Sequence, residues 1–125
     1  MKVEQSLGEI IDKLTILSIK KEKITDKDKL DNVTKEFDYL INLVDQEYGI
    51  KETDQFFVEL KAVNQKLWDI EDGVRLKEAK QEFDEEFIKL ARSVYYTNED
   101  RLRIKKEINV KFKSYFCEEK EYAKY

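Results

Sequence analysis

Two acidic pairs lie inside the most apolar stretches of this 125-residue chain, and each pair has the spacing of one helical turn. Glu9 and Asp12 lie in the segment LGEIIDKLTILSI. Asp69 and Asp72 lie in the segment LWDIEDGVRL. Carboxylate oxygens are the ligands that Mg²⁺ prefers, so two such pairs on facing helices would form a metal site. The alternative is chance spacing, since the chain has 28 acidic residues, and Glu9 also suits a helix cap.

A polar stripe beside an apolar one forms a second candidate site. Its members follow at intervals of four, three and four residues, so they share one face of a helix; they are Asn64, Trp68, Glu71 and Arg75. In a ligand pocket, Trp68 would stack on the ligand and Arg75 would bind an anionic group. The alternative is an ordinary ion pair between Glu71 and Arg75, beside a half-buried tryptophan that anchors the bundle.

Charged residues in three distant segments adjoin apolar stripes, which predicts one polar cluster between helices. Because a buried charge without a partner is costly, we expect the acids of these segments to lie near their basic residues. The acids are Asp12, Glu71 and Asp72, and the basic residues are Lys13, Arg75 and Arg92. The cluster is either a structural network or a ligand site. As a ligand site it comprises Asp12, Lys13, Asn64, Trp68, Glu71, Asp72, Arg75, Arg92 and Tyr95.

The composition argues against several classes of protein. A net charge of −4 disfavours broad nucleic-acid binding, which needs a concentrated basic surface. The chain has no histidine and one cysteine, Cys117, so it lacks the residues for a structural zinc site or an internal disulfide. Without a histidine base or a recognisable nucleophile, we assign no catalytic residue. No apolar run is long enough to span a membrane, and we expect a cytoplasmic protein.

Apolar residues recur at intervals of three and four along nearly the whole chain, and proline is absent, which predicts an all-α protein. Residues 1–125 are expected to form one domain, an antiparallel bundle of four to five helices. Ser6 and Glu9 form a capping box at the start of the first helix. Gly73 marks a bend or an end in the third helix, and Thr97–Asp100 is expected to cap a fifth.

Two features suggest surfaces for a partner. Ile16 and Ile19 widen the apolar surface of the first helix, which predicts a homodimer through that helix. Arg101–Lys113 carries six basic residues against Glu107 alone, and is either a solvated helix face or a surface for an anionic partner or a membrane surface. The expected partners are therefore a second copy of the chain, or an unknown protein or small anionic ligand.

The string SLGEIIDKLTILSIK, from Ser6 to Lys20, resembles the opening of an uncharacterised family of short helical proteins from bacteria and their viruses. The resemblance extends through LDNV, LWDIED, LARSVY and EEK, at Leu30–Val33, Leu67–Asp72, Leu90–Tyr95 and Glu118–Lys120, and through Asn98. It implies an all-α domain, often encoded near genes for surface polysaccharide, and supplies no established activity. The chain reads Asp72-Gly73-Val74-Arg75 where the family pattern is acidic, acidic, aliphatic and arginine.

Two functional hypotheses remain open at this point. The first is a non-catalytic helical module for binding or assembly, which by resemblance alone is an accessory to surface-polysaccharide synthesis. The second is a metal-dependent hydrolase of a nucleotide or sugar-phosphate bond, which holds Mg²⁺ with helical acidic pairs. Acids that converge in a cleft favour the hydrolase, whereas acids that are each paired with lysine or arginine favour the module.

Overall fold

The computed structural model describes residues 4–113, which form four α-helices. Helix α1 comprises Leu7–Lys23, α2 Lys27–Tyr48, α3 Gln55–Lys80 and α4 Glu85–Lys111. The described residues are 84% helical and contain no strand, which confirms the all-α prediction. None of these helices is apolar over a length that would span a bilayer. Cys117 and Glu118–Lys120, which the sequence singled out, lie outside the described residues.

Polar side chains determine where the helices begin. The hydroxyl of Ser6 accepts a hydrogen bond from the Glu9 amide at 3.2 Å, which confirms half of the predicted capping box. Asp26 and Asp84 cap α2 and α4 in the same way. Gly49 ends α2 in the left-handed conformation, with a φ of 69°, which glycine adopts without steric cost. These boundaries therefore follow from the local sequence.

The predicted fifth helix is wrong, because Thr97–Asp100 lies inside α4. The residues Thr-Asn-Glu-Asp are typical of a helix start, yet the inward-facing positions before and after them keep one helical phase. These positions follow at steps of three and four and are Val94, Thr97, Arg101, Ile104 and Ile108. Thr97 is buried on this inner face, so packing against the rest of the chain outweighs the local capping preference.

Helix α1 lies against each of the other three helices, and α3 and α4 form a long antiparallel hairpin. The core draws on all four helices, and its members include Leu7, Ile11, Leu14, Leu17, Phe37, Val44, Phe57, Leu60, Ile104 and Ile108. Ile19 is fully buried and Ile16 is half-buried. Most of the apolar surface that predicted a dimer through α1 is therefore covered within the chain itself.

Two glycines lie where a Cβ atom would meet a neighbouring helix at short distance. A Cβ atom on Gly8 would lie 2.6 Å from the backbone oxygen of Lys105, which is shorter than any normal contact. Helix α3 continues through Gly73 to Lys80, so it does not end there. A Cβ atom on Gly73 would lie 3.2 Å from Cδ1 of Leu90, a side chain with some freedom to shift. The rigid backbone of α4 therefore requires glycine at position 8. At position 73, the Leu90 side chain can shift to make room for a Cβ atom.

We expect Gly8→Ala to lower the free energy of unfolding by about 1–3 kcal/mol, the usual cost of overpacking. The matched variant Gly73→Ala should lie between no change and a gain of about 1 kcal/mol, because alanine favours the helix and Leu90 can move. Urea denaturation of both variants measures the difference. Equal losses in the two proteins would show that the close approach of α1 and α4 has no special role.

Lys77 connects the end of α3 to the start of α4. Its ammonium group lies 3.3 Å from Glu82, 2.9 Å from Asp84 and 3.2 Å from Glu86, and its side chain is only 16% exposed. The hydrogen bond with Asp84 is the main cause that raises the pKa of Lys77. The same bond, followed by the one from the Phe87 amide, lowers the pKa of Asp84. The corner of the hairpin is therefore held by one lysine among three carboxylates.

We expect Asp84→Asn to lower the thermal midpoint at neutral pH, because asparagine keeps the helix cap but removes the charge beside Lys77. The pKa of Asp84 is lower in the folded chain, so the carboxylate stabilises the fold above its unfolded pKa of about 4. This contribution is lost as the pH falls through the lower folded value. Thermal melts of the two proteins should therefore converge in acid. A gap that persists in strong acid would contradict this account. Asp26→Asn, at the cap of α2, controls for the exchange itself.

Candidate functional site

The carboxylate of Asp12 is the centre of a polar site between α1, α3 and α4. Asp12 is only 4% exposed. Arg101 of α4 donates to both of its oxygens, from Nε to Oδ1 at 2.8 Å and from Nη2 to Oδ2. Such a two-point pair is among the strongest contacts that a guanidinium group makes. The buried negative charge is therefore neutralised by a residue 89 positions away in the chain.

Asn64 brings α3 into the same site. Its Nδ2 group donates to Oδ1 of Asp12 at 2.9 Å and to Oγ1 of Thr15 at 2.8 Å. The Thr15 hydroxyl in turn donates to the backbone oxygen of Asp12 at 2.7 Å. Within residues 4–113, no fully buried side-chain nitrogen or oxygen lacks a hydrogen-bond partner. The network is thus satisfied, which is the condition under which buried polar groups stabilise a fold.

Two further contacts join α1 to α4 beside the Asp12–Arg101 pair. Lys105 forms an ion pair with Glu9, and its side chain is only 8% exposed. Asn109 accepts a hydrogen bond from the Gly8 amide at 2.7 Å. The three partners on α4 are each four residues apart, one per helical turn, so we name the set the polar ladder; it comprises Gly8, Glu9, Asp12, Thr15, Asn64, Arg101, Lys105 and Asn109.

The ladder has the chemistry of a structural connection more than of a catalytic centre. Both oxygens of Asp12 already accept hydrogen bonds, and Glu9 already faces an ammonium group. A general base must reach the proton that it removes, and a carboxylate bound by a guanidinium on two sides is poorly placed to do so. The capping role expected of Glu9 is reduced for the same reason, since its carboxylate contacts Lys105.

The predicted cluster is not a single one, because Asp12 and Asn64 lie in the polar ladder whereas Glu71, Asp72 and Arg75 lie together elsewhere on α3. Lys13 forms an exposed ion pair with Glu36 of α2 at 2.7 Å. Arg92 is exposed, and its Nη2 atom lies 3.5 Å from the Tyr96 hydroxyl. The basic residue that Asp12 requires is present, but it is Arg101.

The stripe on α3 adopts the simpler of its two predicted arrangements. Arg75 lies 3.7 Å from Glu71 and 3.1 Å from Asp72, and all three side chains are more than half exposed. Trp68 is half-buried, and Tyr95 on α4 is 63% exposed. Glu71 lies two helical turns beyond Asn64, about 10 Å along the axis, and is therefore well separated from the polar ladder.

The four acids of the predicted metal site are likewise not brought together. Glu9 and Asp12 face cations of α4, and Asp72 faces Arg75. Asp69 is exposed and accepts a hydrogen bond from Gln65 at 3.3 Å. In the part of the chain that the structure describes, no three potential ligands of the His, Cys, Asp or Glu type gather around one point.

Sequence reasoning did not include four of the ladder's side chains among the site residues, namely those of Thr15, Arg101, Lys105 and Asn109. Lys105 belongs to the basic run that suggested a solvated face, yet it is buried. The signal was available in the spacing, because Arg101 and Lys105 lie beside the apolar positions Ile104 and Ile108 on the helix wheel. A basic residue at such a position requires an acid on the facing helix.

This geometry defines a class of protein. It is an α-helical bundle in which buried polar side chains join the first, third and fourth helices. The chain belongs to a family of unknown function, DUF6165, which it matches over residues 1–125. Comparison with curated proteins gave no match, and comparison with solved structures gave none. Membership agrees with the resemblance to an uncharacterised family and adds no activity to it.

We expect Arg101→Ala to lower the free energy of unfolding by on the order of 3–5 kcal/mol, because it leaves the Asp12 carboxylate buried without its cation. Arg92→Ala, on the same helix but exposed, should change it by no more than about 0.5 kcal/mol. Adding Asp12→Asn to Arg101→Ala should recover part of the loss, since a neutral amide costs less to bury. Denaturant melts of the three variants test this. Similar losses for both single arginine variants would contradict the structural role of the ladder.

Proposed function

We propose that this protein is a non-catalytic helical module for binding or assembly. The observation that carries the proposal is that four acids of the candidate sites are paired with cations inside the chain, while Asp69 accepts a hydrogen bond from Gln65. Asp12 and Glu9 pair with Arg101 and Lys105, and Glu71 and Asp72 pair with Arg75. A hydrolase that works through a metal ion needs carboxylates that converge on one point. Acids bound singly to cations support a module instead.

The surface of the α3–α4 hairpin offers what a module needs for a partner. Several large apolar side chains are more than half exposed on it, and they are Leu76, Phe83, Ile88, Tyr95 and Val110. Clusters of exposed apolar residues commonly mark sites of protein association. We propose that the partner is a protein, with a second copy of this chain as the first candidate. The single cysteine suits a reducing compartment, and we place the module in the cytoplasm.

The process that the module serves is a separate proposal. By resemblance, proteins of this kind are encoded near genes for surface polysaccharide, which supports an accessory role in the synthesis of such polymers. The hydrolase of a nucleotide or sugar-phosphate bond is the competing proposal, and it would require Asp69, Asp72 and their neighbours to recruit Mg²⁺. The two proposals differ in what the isolated protein should bind.

A thermal-shift screen with Mg²⁺, Mn²⁺, nucleotides and nucleotide-sugars separates these proposals, and should be run beside an assay for released phosphate. A ligand at 100 times its dissociation constant adds about 2.7 kcal/mol of apparent stability. We expect no metal-dependent stabilisation and no turnover. Stabilisation by Mg²⁺ that is lost in Asp69→Asn/Asp72→Asn, with phosphate release, would overturn the non-catalytic proposal. Both residues are exposed, so this variant should fold normally.

A further inference from the structure

No further inference is drawn: the strongest candidate, the apolar surface patch on the outward face of α4 around Ile88, Tyr95 and Val110, is interrupted by Arg92, Glu99 and Lys106, and nothing in residues 4–113 shows what covers it.

Discussion

The ion pair between Asp12 and Arg101 is the interaction on which the rest of the structure depends. A carboxylate that is 4% exposed is costly to bury without a close partner. Once Arg101 is seated on it, α1 and α4 have a defined offset along their axes, and Lys105 meets Glu9 while Asn109 meets the Gly8 amide. Apolar packing alone tolerates small slips between helices, whereas charged groups and hydrogen bonds of this geometry do not. The ladder therefore specifies which of several similar packings the chain adopts.

One face of α1 contributes to the apolar core, and another face contributes to the polar ladder. Its aliphatic residues pack inward with Phe57, Leu60 and Ile104, and its polar residues bind α3 and α4. Four acids of the candidate sites, Glu9, Asp12, Glu71 and Asp72, face cations, while large apolar side chains are exposed on the hairpin of α3 and α4. This division explains how a chain with 42% charged residues combines a well-packed interior with an exposed surface that still carries large apolar side chains.

Features that depend on neighbours in sequence could be predicted from the sequence. The cap at Ser6 and the helical period are of this kind, and so is the Glu71–Arg75 pair. The sequence also indicated that Asp12 needs a basic partner. It did not indicate which one, because that choice depends on the offset between two helices whose contacts are about 90 positions apart in the chain. The prediction of a helix start at Thr97 was wrong for a related reason. The burial of Thr97 in a long helix outweighs its local preference for a capping position.

The distance in sequence between the two sides of the ladder has a consequence for how the chain folds during synthesis. Asp12 is synthesised early, and Arg101 is synthesised 89 residues later. The hairpin of α3 and α4 closes over a short turn and can form quickly, but α1 has no charge partner until α4 is complete. Until then α1 can pack only against α2 and α3, and the Asp12 carboxylate has no cation to neutralise it. The negative charge then opposes premature burial of α1 in a misfolded or aggregated state, and it is neutralised only when the correct helix arrives.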